Sequence, residues 1–198
     1  KTITYTVIGV VAAVLVAALL IWNTGFFQAR ATAATVGGTN ISVADMSYYY
    51  YSARSPYATY GSLLGFDTTT PDDEQIYSEE NQTTWRDYFM ETALDEATRF
   101  TVLYNAAVAD GHSVSEVQDA VNAQIDSDKA AASANGFSYS AYLKARYGKY
   151  MSTGSYKDLI GRILLASQYA NDHADQLAES YSLQDLEDYY KENADSVD

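Results

Sequence analysis

Residues 83–110, TTWRDYFMETALDEATRFTVLYNAAVAD, contain neither Gly nor Pro. Trp85, Phe89, Ala93, Leu94, Ala97, Phe100, Leu103, Tyr104, Ala107 and Val108 recur at intervals of three and four, the spacing that gathers side chains on one face of an α-helix. A long amphipathic helix of this kind must bury its stripe against other elements, and the flanking sequence supplies more helices. Gly111 ends the stretch as a residue that can turn left-handed, and Ser113-Val114-Ser115-Glu116 is a capping box that restarts a helix carrying Val117, Val121 and Ile125. Gly136 breaks that helix. Ser138 can cap a short one over Tyr139, Tyr142, Leu143 and Arg146, and Gly148 and Gly154 bracket a loop. Another long helix begins near Ser155, with Leu159, Ile160, Ile163, Leu164, Ala170, Ala174 and Leu177 as its stripe. Ser182-Leu183-Gln184-Asp185 opens a last helix over residues 186–193.

Upstream, Val36-Gly37-Gly38-Thr39-Asn40-Ile41 sets apolar residues around a Gly-Gly pair, the composition of a tight hairpin or an extended arm. Ser42-Val43-Ala44-Asp45 is a capping-box-like start, so a helix is expected from Val43 through Tyr48 to Ala53, ending before Pro56. Residues 57–82 carry Gly61, Gly65, Thr68-Thr69-Thr70-Pro71 and the acidic cluster Asp72-Asp73-Glu74, and read as loop with one short turn of helix. No strand-period segment of useful length and no fixed-period repeat occurs. The fold class expected is mainly α: a multi-helix domain over residues 36–198 with a short extended N-terminal arm.

Residues 2–29 carry no charge, and the run VIGVVAAVLVAALLIW at 7–22 has only Gly9 outside the hydrophobic set. A helix of about 18 to 20 residues rises about 27–30 Å, the thickness of a bilayer's hydrocarbon core, with Tyr5 and Trp22 at its two interfaces. Residues 1–27 are therefore expected to be a transmembrane anchor, contacting lipid through residues 5–22, and residues 28–35 a spacer. A cleaved signal peptide is the alternative, with Ala29-Arg30-Ala31 or Ala31-Thr32-Ala33 as the cleavage site, although the apolar run is long for one. A buried core helix is a second alternative, which the all-round apolar surface disfavours.

The chain of 198 residues has 12 Lys+Arg, 26 Asp+Glu, no Cys, two His, two Pro and 19 Tyr. The net charge of −14 repels phosphate backbones, which argues against a nucleic-acid partner. Without Cys there is no disulfide, thiol nucleophile or thiolate metal site, and two His need carboxylates to complete a zinc site. His112 and His173 lack a second His at i+4 and read as exposed polar residues. Asp172, His173 and Asp175 point in different directions on a helix. Asp126-Ser127-Asp128 begins like a calcium loop, but Ala130 stands at the third ligand position and no Gly follows at the sixth. Asp72, Asp73 and Glu74 read as a solvated acidic loop or helix start. Asn40-Ile41-Ser42 and Asn81-Gln82-Thr83 are glycosylation sequons that matter only in a eukaryotic secretory pathway. Neither catalytic residues nor a cofactor or metal are expected.

The tyrosines remain. Tyr48-Tyr49-Tyr50-Tyr51 is a consecutive run, with Tyr57 and Tyr60 beyond it. A consecutive run faces all sides of a helix, so some rings are exposed, and exposed Tyr gives adaptable contact area with a hydrogen-bonding tip. The competing reading has the rings closing over a core short of Leu and Phe. These six tyrosines are the candidate client-binding residues.

The order of motifs resembles the N-terminal chaperone domain of the SurA/PrsA-type foldases. In that family a V-N-G-x-x-I-S/T arm precedes the first helix, and Val36, Gly38, Ile41 and Ser42 fit it, with Gly37 in place of Asn. An E-x-Y-Y-x-x-N segment leads into a parvulin-type prolyl isomerase domain, and Glu187, Tyr189, Tyr190 and Asn193 fit that. The resemblance covers residues 36–198 through short motifs. It implies an extracytoplasmic helical domain that cradles unfolded or partly folded polypeptide, and no catalytic residue of the family maps onto this chain. The acidic balance beyond Trp22 also favours a domain outside the cell membrane. The expected function is a membrane-anchored extracytoplasmic chaperone domain. The alternatives are a scaffolding subunit docked on a membrane or cell-wall partner, and a peptidyl-prolyl isomerase whose catalytic domain follows residue 198.

Overall fold

The computed structural model describes residues 25–180 and, beyond them, Ser182, Gln184, Tyr189 and Lys191. The expected membrane segment at residues 5–22 lies outside the described residues, as do most of residues 186–193. Among the described residues no helix is long and apolar enough to cross a membrane.

The domain is mainly α, as its patterning requires. A short helix α1 (Phe26–Arg30) leads into a hairpin of β1 (Thr32–Val36) and β2 (Thr39–Ser42). Helix α2 (Val43–Leu64) follows at once, then a small hairpin of β3 (Ile76–Ser78) and β4 (Thr83–Thr84) and the helix α3 (Trp85–Ala109). A 3₁₀ turn (Val114–Val117), α4 (Gln118–Ala134), α5 (Tyr139–Tyr147) and α6 (Thr153–Ser180) complete it.

Local chemistry sets most of these boundaries. Ser42 accepts the backbone N–H of Asp45, and the Asp45 carboxylate accepts that of Ser42, so two orphan donors at the start of α2 are satisfied reciprocally. Thr84 and Asp87 do the same for α3. Ser138 accepts the Ala141 N–H at the start of α5. Gly37 and Gly38 have φ of +54° and +82°, the paired positive values that a two-residue hairpin turn matching the strand twist needs. Of the two conformations expected for residues 36–41, the hairpin is the one formed, with Thr35 opposite Asn40 and Val36 opposite Thr39.

Four expectations are corrected. Helix α2 does not end before Pro56 but runs through it to Leu64, kinking at Tyr60 (φ −115°, ψ 16°). Proline removes one backbone donor and crowds the preceding turn, yet packing along α3 keeps that turn helical; the kink at Tyr60 lies beyond the reach of Pro56, next to Gly61. Residues 57–82 are consequently helix, turn and hairpin rather than loop. At the end of α2 the Phe66 N–H bonds back to the Gly61 carbonyl at 2.9 Å, and a Cβ on Gly61 would stand 2.4 Å from the Phe66 carbonyl oxygen. Only glycine permits that reversal. Residues 28–35 are no spacer, since they finish α1 and form most of β1. Strands do occur, in two short hairpins whose pairing is fixed by their turns and by the helices beneath them.

Helices α2, α3 and α6 pack around the principal core, which holds Met46, Tyr49, Ala93, Leu143, Met151, Tyr156 and Leu159. Ala93 and Ala97 are wholly buried, so their small side chains let the helices approach closely. A second cluster joins Ala107 and Leu165 to Val117 and Val121, and a third is the aromatic trio Phe66, Trp85 and Phe89. The ends of the domain are tied by Arg162 of α6, whose guanidinium meets the buried Asp45 carboxylate at 2.9 Å.

Candidate functional site

A helix turns about 100° per residue, so four consecutive tyrosines must face different surroundings. Tyr48 turns inward onto the ring of Tyr147, 4.8 Å between centroids, and toward Tyr156. Tyr49 is 6% exposed and stacks on Phe100. Tyr50 meets the edge of Phe89, and its hydroxyl donates to Asp72 at 2.6 Å, where Arg54 also pairs at 2.8 Å. Tyr51 lies against Tyr50 and is 37% exposed. Tyr57 packs among Trp85, Tyr88 and Phe89, its hydroxyl 2.8 Å from that of Tyr88. Tyr60, at the kink, is 60% exposed. The run therefore divides: Tyr48, Tyr49 and Tyr57 serve the core, Tyr50 bridges core and surface, and Tyr51 and Tyr60 face outward.

Burial changes these phenols. It pushes Tyr48 up to about 12, and it raises Tyr49 further. Tyr50 is raised by burial and by its hydrogen bond to Asp72, which is lost if the phenol ionises. All three are neutral donors across the physiological range.

An apolar pocket of about 320 Å³ opens beside Tyr50, lined by Ala33, Val43, Met46, Ser47, Tyr50, Arg86 and Met90. It forms where β1 crosses the first two turns of α2 and the start of α3. Its apolar lining has a specific cause: each polar residue on its wall spends its polar end elsewhere. The Ser47 hydroxyl donates to the Tyr147 carbonyl, the Tyr50 hydroxyl to Asp72, and Arg86 pairs with Asp73 at 3.0 Å. What remains toward the cavity is ring face, methylene stem and thioether. Met46 is buried whereas Met90 is 43% exposed at the mouth, and Leu94, one turn further along α3, is exposed as well. Two flexible methionines give the wall the ability to reshape around different side chains.

The sequence singled out Tyr50 but neither methionine. Met46 and Met90 lie on different helices, and only the packing of α2 on α3 brings them together. A further apolar surface, also unmarked in the sequence, is the end of α2, where Leu63 and Leu64 stand exposed beside Tyr60.

The titratable clusters elsewhere are structural. The buried Asp128 carboxylate accepts the Tyr156 hydroxyl at 2.6 Å and the Gln124 amide, deep behind Tyr147. His112 is exposed and bonds Glu116 at 2.9 Å, which raises its pKa. His173 packs at a tilt against Tyr169, whose hydroxyl donates to Asp110. Among the described residues no group of three or more His, Asp or Glu is placed to hold a metal ion. The arrangement offers non-covalent capture of apolar groups. No protein-family model, curated protein or solved structure matches the chain.

Proposed function

We propose that this chain is a polypeptide-binding helical domain of the SurA/PrsA foldase type, held at the extracytoplasmic face of a membrane by residues 5–22. The observation that carries the reading is the apolar pocket with Met90 at its mouth. A client side chain such as Leu, Met or Phe buried there gains about 1.5–3 kcal/mol, roughly 10- to 100-fold in affinity per anchor. A wall of ring face and thioether does not select one side chain sharply, which suits transient binding to many unfolded chains. The exposed Tyr51, Tyr60, Leu63 and Leu64 extend the contact surface along α2. The resemblance in motif order supplies the biological setting, and the anchor its location.

The test uses the full chain held in a lipid nanodisc, with a fluorescent extended peptide containing one central Leu as the probe. Met90→Glu places a carboxylate at the pocket mouth, where peptide burial would strip it of water. The expected result is a loss of peptide affinity of about tenfold or more with an unchanged urea midpoint. Equal affinity in the folded variant would remove the pocket from the reading. Stoichiometric capture of one native partner, with no binding of unfolded peptide, would move the function to scaffolding.

A further inference from the structure

The charge of this acidic chain is unevenly spread. Residues 130–157 contain Lys144, Arg146, Lys149 and Lys157 and no Asp or Glu, and residues 2–44 contain Arg30 and no acidic residue. The fold brings these two acid-free segments together. Arg30, Lys144 and Lys149 line one pocket of about 280 Å³, with Gly25, Tyr150, Ser152 and Ser155 among its other walls. Lys144 and Lys149 are exposed and make no ion pair among the described residues. By contrast Arg54, Arg86, Arg99, Lys129 and Arg162 all meet a carboxylate. The positive charge of Lys144 and Lys149 is thus not spent on a carboxylate among the described residues.

Their pocket is also where the chain leaves the apolar run. Gly25 lies against the Tyr150 ring, so that a Cβ there would come within 3.2 Å of it, and the Lys149 ammonium sits 5.0 Å from the centre of the same ring. Gly25 is three positions beyond Trp22, a reach of at most about 10 Å. A bilayer ending near Trp22 therefore lies about one screening length from these cations at physiological salt.

We propose that Lys144 and Lys149 form a docking site for the phosphate headgroups of anionic phospholipids in the membrane that residues 5–22 enter. The proposal rests on the anchor reading. It gives the domain a fixed posture: the lysine pair is drawn down to the headgroups while the acidic remainder is repelled from them. The pocket takes phosphate oxygens, and the serine hydroxyls of Ser152 and Ser155 add polar partners on its rim. The apolar pocket beside Met90 is lined by none of these residues, so headgroup binding leaves it open to a client.

The experiment places a fluorophore at Ala145→Cys, an exposed position in a chain with no other cysteine. The full chain is reconstituted into nanodiscs of phosphatidylcholine, alone or mixed with phosphatidylglycerol, each with a headgroup-linked quencher. Quenching is expected to be stronger in the mixed discs and to fall with added salt. At about fivefold per basic residue near an anionic surface, Lys144→Gln with Lys149→Gln reduces the docked-to-undocked ratio roughly 25-fold. Equal quenching in the two discs, or no effect of the double substitution, overturns the proposal. Titration with inorganic phosphate at constant ionic strength separates the sources: a saturating change in phosphatidylcholine discs, lost in the double variant, would reassign the pocket to free phosphate. Failure of the chain to co-elute with either disc would refute the anchor. The headgroup site would then stand only if the free chain bound phosphatidylglycerol vesicles and the double variant did not.

Discussion

Asp45 does two jobs, and removing it should cost both. Its carboxylate accepts the Ser42 N–H in the capping box of α2 and receives the Arg162 guanidinium of α6 at 2.9 Å, with the Asp45 side chain only 9% exposed. Loss of a capping interaction costs about 1 kcal/mol. A hydrogen bond to a charged partner is worth about 1.5–3 kcal/mol, and the lower end applies because Arg162 remains 30% exposed and can be rehydrated. Asp45→Ala is therefore expected to destabilise by about 2.5 kcal/mol, Ser42→Ala by about 1, and Arg162→Met by about 1.5. Urea unfolding of the full chain followed by circular dichroism reads these as midpoint shifts at constant slope. In the double variant Asp45→Ala with Arg162→Met, the effects should sum to less than their separate costs, because the pair is lost only once. An Asp45→Ala loss below about 0.5 kcal/mol, or full additivity with Arg162→Met, would refute the reasoning that this pair holds α2 to α6.

Alkaline titration tests the division of the tyrosines. The folded-state values of Tyr48 and Tyr139 are raised to about 12 by burial, above the ordinary value of 10. Their stabilising contribution is thus complete below about pH 10 and is lost as pH rises from there through the folded values, because the unfolded chain releases those protons first. Phenolate absorbance should therefore rise in a second, steeper step that coincides with loss of helical signal, and a single smooth rise near pH 10 with the helices intact would contradict the burial. Mutation should separate core rings from surface rings. Phe89→Ala, at a wholly buried position, is expected to cost about 3–5 kcal/mol, whereas Tyr60→Ala stays within about 0.5, as urea midpoints would show.

What was legible in the sequence was local. The three-and-four spacing of Trp85, Phe89 and Ala93 and the capping pairs Ser42/Asp45 and Thr84/Asp87 act within a few residues, so their consequences could be read directly. The same holds for Gly37-Gly38. The continuation of α2 past Pro56 was not legible, because it depends on Tyr57 finding Trp85 and Phe89 across the interface with α3. Helix α1 was hidden for a similar reason. Its Ala and Thr neighbours have no periodicity, and it is positioned by contacts such as Gly25 on Tyr150. For the site, the tyrosine run marked the right helix but could not say which ring turned which way. Met46 and Met90 carried no local sign of shared purpose, since their proximity exists only after α2 and α3 have packed.

The bonds that close this domain join residues far apart in sequence. Arg162 reaches back 117 residues to Asp45, and the Ser47 hydroxyl reaches forward 100 residues to the Tyr147 carbonyl. A chain delivered N-terminus first, from a ribosome or through a translocation channel, presents α2 long before its closing partners arrive. Through that interval the inward rings of Tyr48 and Tyr49 have no Tyr147, Tyr156 or Phe100 to cover them until those residues follow. Folding is then postponed to the last stage of delivery, and the newborn domain passes through a period in which it is itself an aromatic-rich, unfolded polypeptide.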